Sequence, residues 1–187
     1  FRSSYIDIAK DKGYEVLLLD SPIIPHVIQK LEGDLEKVSF VRVDADHIDK
    51  LIQKDVQHTS AMNDEDKTQL KTILEEVIPS STYMIQTEAM DAKGLPFMIT
   101  QPEFMRRMKE MSAAGGGGMF GLGNMPEMYN LVVNTNHELA GMILHESDKE
   151  KQTVLIKQAL DLAKLSQNLL KGEELTAFVK RSFERLN

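Results

Sequence analysis

Three glycines near the middle of the chain have the spacing of a phosphate-binding loop. Gly116, Gly118 and Gly121 fit the pattern G-x-G-x-x-G, which in dinucleotide-binding proteins lets the backbone approach a pyrophosphate at the start of a helix. That chemistry requires a strand before the first glycine and a helix beginning at the third. Here a helical pattern precedes the glycines and Pro126 follows them, so the sequence argues against a nucleotide site.

The acidic and histidine residues also lack the spacing that metal binding or catalysis needs. Residues 44–49, DADHID, begin like a calcium loop but carry Ile48 and Asp49 where an acid and a glycine are required. The histidines show no H-E-x-x-H spacing, and no G-x-S-x-G sequence occurs. We therefore expect no catalytic residue, cofactor site or metal site in this chain, and a capping or structural role for His137.

Composition narrows the classes of partner. The 187 residues carry a formal net charge of -7, which argues against nucleic-acid binding because phosphate demands a basic face. The longest aliphatic run, residues 16–19, is too short to cross a membrane, and the absence of cysteine fits a reducing cytoplasm. Because the chain begins at Phe1 without an initiator methionine, we expect a segment of a longer cytoplasmic protein.

The pattern of apolar residues predicts two domains of mixed helix and strand, an α+β fold. Residues 1–56 predict a small α/β unit, and residues 57–67, which lack periodicity, predict a linker. The elements of this unit are a helix ended by Gly13, a strand at 15–19, a helix ended by Gly33, a strand at 38–43 and a helix at about 45–54.

Residues 68–187 predict the second domain. Its first helix ends at Pro79, and two apolar stretches joined by DAKG predict a hairpin with Gly94 at the turn. A third strand is expected at 128–133, and helices at about 136–145, 149–171 and 173–186 close the chain.

A short helix rich in methionine lies between the hairpin and the third strand. Its apolar residues recur at helical spacing, and the glycine-rich stretch that follows predicts a mobile tether with little to pack against them. Unbranched methionine adapts to partners of varied shape. We therefore favour an adaptable binding patch over a face packed in the core. The residues of this predicted binding patch are Phe104, Met105, Met108 and Met111.

The last two helices carry more apolar surface than one core contact requires. Leu155, Leu162 and Leu169 repeat every seven residues, and the final helix has a single apolar stripe. Either both helices lie in the core of one chain, or two copies of the pair form a four-helix bundle about a twofold axis. The candidate interface residues are Leu155, Leu162, Leu165, Leu169, Phe178, Val179, Ser182, Phe183 and Leu186.

Two stretches resemble the ninety-kilodalton heat-shock chaperones of the bacterial HtpG branch. YIDIAKDKGYEVLLLDSPI is similar to the end of the family's middle domain, where a helix and a glycine precede a Glu-Val-Leu-Leu-Leu strand. LVVNTNHELAGMI is similar to the family's strand followed by Asn-Pro-x-His-Pro. Asn134 and His137 match that segment, while Thr135 and Glu138 replace its prolines. The order of the predicted elements agrees with the family over essentially the whole chain.

The resemblance implies the end of a middle domain followed by a C-terminal homodimerisation domain whose helix pairs form the intermolecular bundle. It also implies that the methionine helix contacts unfolded or partly folded client proteins. ATP and Mg²⁺ would be bound by a domain absent from this sequence, so the chain is not expected to be an enzyme by itself. A generic homodimerisation module of another cytoplasmic protein is the alternative that the residues leave open, and a small stand-alone enzyme is a third class.

Overall fold

The computed structural model describes residues 4–21, 23–46, 48–52, 58–102, 105–106 and 128–184. These residues divide into two compact units. One comprises the described residues up to position 52 together with 101–102 and 105–106, and the other comprises 58–100 and 128–184. The predicted domain limits stay predictions.

The first unit is built from short helices. They are α1 (Ser4–Asp11), α2 (Ile24–Asp34) and α3 (Ile48–Leu51). Gly13 ends α1 as predicted: it has a φ of 78°, and its amide donates to the carbonyl of Lys10 over 2.8 Å. Gly33 does not end α2, which continues to Asp34.

Both strands predicted for the first unit are wrong. Residues 15–19 and 38–43 belong to no strand among the described residues. Leu17, Leu18 and Leu19 are instead 68%, 77% and 51% exposed. The physical reason is that a strand forms only when a neighbour accepts its backbone hydrogen bonds, and the described part of the chain pairs no strand with these apolar residues.

The second unit combines four helices with three strands in the described residues. They are α4 (Asp64–Val77), β1 (Tyr83–Glu88), β2 (Phe97–Thr100), β3 (Tyr129–Asn134), α5 (Glu138–His145), α6 (Lys149–Ser166) and α7 (Gly172–Glu184). Side-chain caps fix the starts of three helices: Asn63 accepts from the amide of Asp66, Asp148 from that of Glu150, and His137 from that of Leu139. The predicted capping role of His137 is confirmed.

The strand order is β1-β3-β2, with β3 parallel to β1 and antiparallel to β2. The predicted hairpin between β1 and β2 is therefore wrong, because β3 lies between them. The DAKG segment does turn, with the amide of Gly94 donating to the carbonyl of Asp91 over 2.9 Å, but it belongs to a connection between strands that do not pair. β3 suits the centre because Leu131, Val132 and Val133 are completely buried, as a strand covered on both faces requires.

One hydrophobic core joins the sheet to its helices. Its central side chains are fully buried and come from helices and sheet alike: Leu70, Leu74, Leu131, Val133, Ile143 and Ile156. The predicted α+β class is confirmed, while the intermolecular four-helix bundle stays a prediction.

Candidate dimer surface on the closing helices

α6 has two apolar faces. Ile156, Ala159 and Ala163 are at most 5% exposed and pack into the core. Val154, Leu162 and Leu165 lie on another side of the helix and are 46%, 51% and 42% exposed. Their spacing of eight and three residues places these three on one helical face. The chain therefore leaves a row of large apolar side chains in contact with solvent.

The apolar stripe predicted for α7 divides between core and solvent. Phe178 points into the core and is 8% exposed, while Val179 and Phe183 are 41% and 64% exposed. Ser182 is half-buried, and its hydroxyl donates to the carbonyl of Phe178 over 2.8 Å. Two half-buried members of the predicted interface, Leu155 and Leu169, pack against the core of their own chain. Leu186 lies outside the described residues.

Two ion pairs join α6 to α7. Arg181 donates to Asp161 over 2.5 Å, and Lys164 donates to Glu174 over 2.6 Å. Since the residue later in α6 pairs with the one earlier in α7, the helices run antiparallel. The Asp161 and Lys164 side chains are only 14% and 12% exposed, so each pair is partly shielded from water. These pairs fix how the two helices present their exposed faces.

Tyr83 of β1 lies close to this pair of helices. Burial raises the pKa of its phenol above the usual 10.0, and the negative charges of Glu174 and Asp161 raise it further. Both effects disfavour the phenolate. The surroundings therefore keep Tyr83 neutral.

A shallow, mostly apolar groove of about 250 Å³ runs between the N-terminal half of α6 and the C-terminal end of α7. Its lining residues are Val154, Lys157, Gln158, Arg181 and Glu184. Val154 has an apolar side chain, and the other four lining residues contribute the aliphatic parts of charged or amide side chains. Such a surface accommodates an apolar side chain whose neighbours are charged.

The predicted client-binding patch falls largely outside the described residues. Met105 and Arg106 are helical and half-buried, and the amide of Arg106 donates to the carbonyl of Pro102 over 3.1 Å. Phe104, Met108, Met111 and the glycine-rich stretch lie outside the described part of the chain. The patch therefore stays a prediction.

Sequence reasoning missed a buried polar cluster at the C-terminal end of β3. Asn134 and Thr135 are at most 2% exposed. The Asn134 side chain accepts from the amides of Met90 and Asn136 and donates to the carbonyl of Asp91 over 2.7 Å. Two asparagines directly after an apolar strand were the signal, because their side chains can replace missing backbone partners.

The Asn136 side chain extends this cluster to the segment before α4. It accepts from the amide of Ala61 over 2.7 Å and donates to the carbonyls of Thr59 and Met90 over 3.0 Å each. The hydroxyls of Ser60 and Thr135 are 3.0 Å apart. The cluster thus fixes the entry to the second unit against the end of its sheet.

No group of three or more acidic or histidine side chains within the described ranges is arranged to hold a metal ion. In the same part of the chain, no helix combines the length and apolarity that crossing a membrane requires.

A helix-covered mixed sheet, closed by a helix pair with a second apolar face, agrees with the resemblance drawn from the sequence. No family model matches the chain. Among curated proteins, the chaperone protein HtpG of Porphyromonas gingivalis is 36% identical over 87% of this chain, which corresponds to 24% of that protein. HtpG of Bacteroides thetaiotaomicron is 31% identical and HtpG of Bacteroides fragilis 30% identical, each over 97% of this chain and 36% of the relative.

The resemblance to the HtpG branch of the ninety-kilodalton heat-shock chaperones is therefore confirmed. The chain is homologous over nearly its whole length to part of an HtpG chaperone. It spans about a third of the length of the curated relatives that match it most fully.

Proposed function

We propose that this chain is the homodimerising and client-contacting segment of an ATP-dependent chaperone. The observations that carry the proposal are the row of exposed apolar side chains on α6 and the separate exposure of Val179 and Phe183 on α7. Large exposed apolar surfaces on folded proteins mark interaction sites, and a twofold axis lets one such surface cover its own copy. Homology to HtpG chaperones supports a chaperone role for the whole protein.

Light scattering tests the dimer. We expect the chain to have twice its 21.1 kDa mass, and Leu162→Asp and Leu165→Asp each to give monomers, because a buried carboxylate without a partner is strongly unfavourable. Met142→Asp is the matched control, since Met142 is 54% exposed on α5 and lies outside the proposed interface. A monomeric wild-type chain, or dimers that persist in both α6 variants, would contradict the proposed dimer.

Client contact is assigned to the methionine helix. Phe104, Met105, Met108 and Met111 are adaptable apolar residue types with basic residues close by in the sequence, a composition that suits varied, partly folded chains. We expect changing the three methionines to serine to reduce suppression of aggregation of a model client while unfolding stability stays close to wild type. Unchanged suppression, or a large loss of stability, would favour core packing instead.

In the whole protein this segment would hold two protomers together at one end. Tethering raises the effective concentration of the remaining domains for each other, so their ATP-driven closure becomes intramolecular. ATP and Mg²⁺ binding and hydrolysis are assigned to sequence outside this chain, and the cytoplasm is the proposed compartment. Sequencing the parent protein tests this assignment, which fails if no ATP-binding domain is present.

A further inference from the structure

We propose that the groove between α6 and α7 receives Phe183 of a second copy, and that Glu184 then pairs with Lys157 of that copy. The inference rests on the proposed dimer and specifies its anchor and its register. Groove, anchor and charges all lie on the two closing helices, so a twofold axis would form the same contact twice.

The apolar part of the contact follows from exposure and shape. Phe183 is the most exposed aromatic side chain on α7, at 64%, and burying a phenylalanine on association contributes strongly to affinity. The groove is mostly apolar, with a volume of about 250 Å³, and Val154 in its wall is 46% exposed. An apolar ring with a charged neighbour therefore matches both the apolar surface and the charged rim of the groove.

The charged part follows from the ion pairs of the helix pair. Arg181 and Lys164 are paired with Asp161 and Glu174 within the chain. Lys157 and Glu184 line the groove but take part in no ion pair in the described residues. Glu184 directly follows Phe183 and projects about 100° from it around α7, so in the proposed arrangement the inserted ring enters the groove while the carboxylate stays at its rim, where Lys157 lies. Opposite charges at this edge would fix the register of two helices whose apolar contacts alone permit sliding.

A mixing experiment with charge-reversal variants tests the ion pair. We expect Lys157→Glu and Glu184→Lys each to weaken homodimerisation roughly three- to tenfold, because two like-charge contacts replace two attractive ones. An equimolar mixture of the two variants should regain wild-type affinity as heterodimers, since both contacts then join opposite charges. Lys93→Glu, on an exposed loop, makes the same change in net charge as Lys157→Glu and should leave the dimer unchanged.

The mixture separates a pair between copies from a pair within one chain. If Lys157 and Glu184 met inside one chain, each variant would keep its own repulsion and mixing would restore nothing. A wild-type dimer without restoration on mixing would overturn the proposed register and leave the proposed function standing. A wild-type monomer would overturn both.

A double-mutant cycle tests the anchor. Phe183→Ala should weaken the dimer by at least roughly thirtyfold, and Val154→Ala should weaken it less. If the two side chains meet across the interface, the double variant should be less impaired than the product of the two effects. If the two substitutions weaken a stable dimer independently, so that the double variant shows the full product of the two effects, insertion of Phe183 into the groove would be contradicted.

Discussion

At the scale of single residues, one short polar run organises the second unit. Asn134 and Asn136 satisfy backbone groups in the crossover connection after β1 and in the segment before α4. Because a loop beside a buried strand would otherwise leave backbone groups without partners, these amides substitute for a neighbouring strand. The sequence predicted the strand and the helix on either side of this run but not the network, because which loops meet there depends on the strand order.

Removing the Asn134 side chain should therefore destabilise the fold. In Asn134→Ala, two amides and one carbonyl lose the partner that the fully buried Asn134 side chain supplies. We expect a loss of about 2–4 kcal/mol in the free energy of unfolding, measured by urea denaturation. Asn130→Ala, at a half-buried position in the same strand, should cost much less, and equal losses in the two variants would contradict the network.

Tyr83 should make the fold sensitive to alkali. Burial, Glu174 and Asp161 raise the pKa of its phenol above the 10.0 of a free tyrosine. A pKa that is higher in the folded state contributes stability below pH 10, and that contribution is lost as the pH rises through the folded value. The free energy of unfolding should therefore decrease less between pH 7 and about pH 11 for Tyr83→Phe than for wild type. Tyr14→Phe, in the other unit, is the control and should follow wild type.

At the scale of elements, the sequence predicted which segments of the second unit are helical or extended better than it predicted which strands pair with each other. Periodicity located α4 and the three closing helices, and propensity located all three strands. The strand order was not predicted, because β1 and β2 are neighbours in sequence and so suggest a hairpin. Only the complete burial of Leu131, Val132 and Val133 indicates that β3 lies between them. In the first unit, EVLLL has the propensity of a strand, but propensity supplies no partner.

α7 shows the same limit within one helix, because adjacent residues of its stripe have different roles. Phe178 is buried in the chain's own core and Val179 is 41% exposed. In the monomeric Leu162→Asp background we expect Phe178→Ala to lower the unfolding free energy by about 3–5 kcal/mol. Val179→Ala should lower it by less than about 1 kcal/mol there and should weaken association in the dimeric background. Similar losses from both variants in the monomer would show that the whole stripe packs internally.

At the scale of the whole molecule, the two units differ in how well they cover their apolar residues. The second unit closes around one core and leaves exposed apolar rows chiefly on its last two helices, whereas the first leaves Leu17 to Leu19 exposed. Sequence periodicity predicted the excess apolar surface of α6, since residues 154 and 165 lie on the opposite side of the helix from 156, 159 and 163. It could not determine what covers that surface, because an apolar stripe has the same sequence pattern whether it packs in a core or in an interface.

Concentration dependence distinguishes those two situations in the intact chain. If unfolding is coupled to dissociation, mass action stabilises the folded dimer as protein concentration rises. We expect the Tm of the wild-type chain, followed by circular dichroism, to increase by a few degrees for each roughly tenfold rise in concentration. The Tm of Leu162→Asp should be independent of concentration, and that of Met142→Asp should follow wild type. A constant Tm for the wild type, together with a monomer mass at every concentration, would show that α6 and α7 expose their apolar faces for a purpose other than pairing with a second copy.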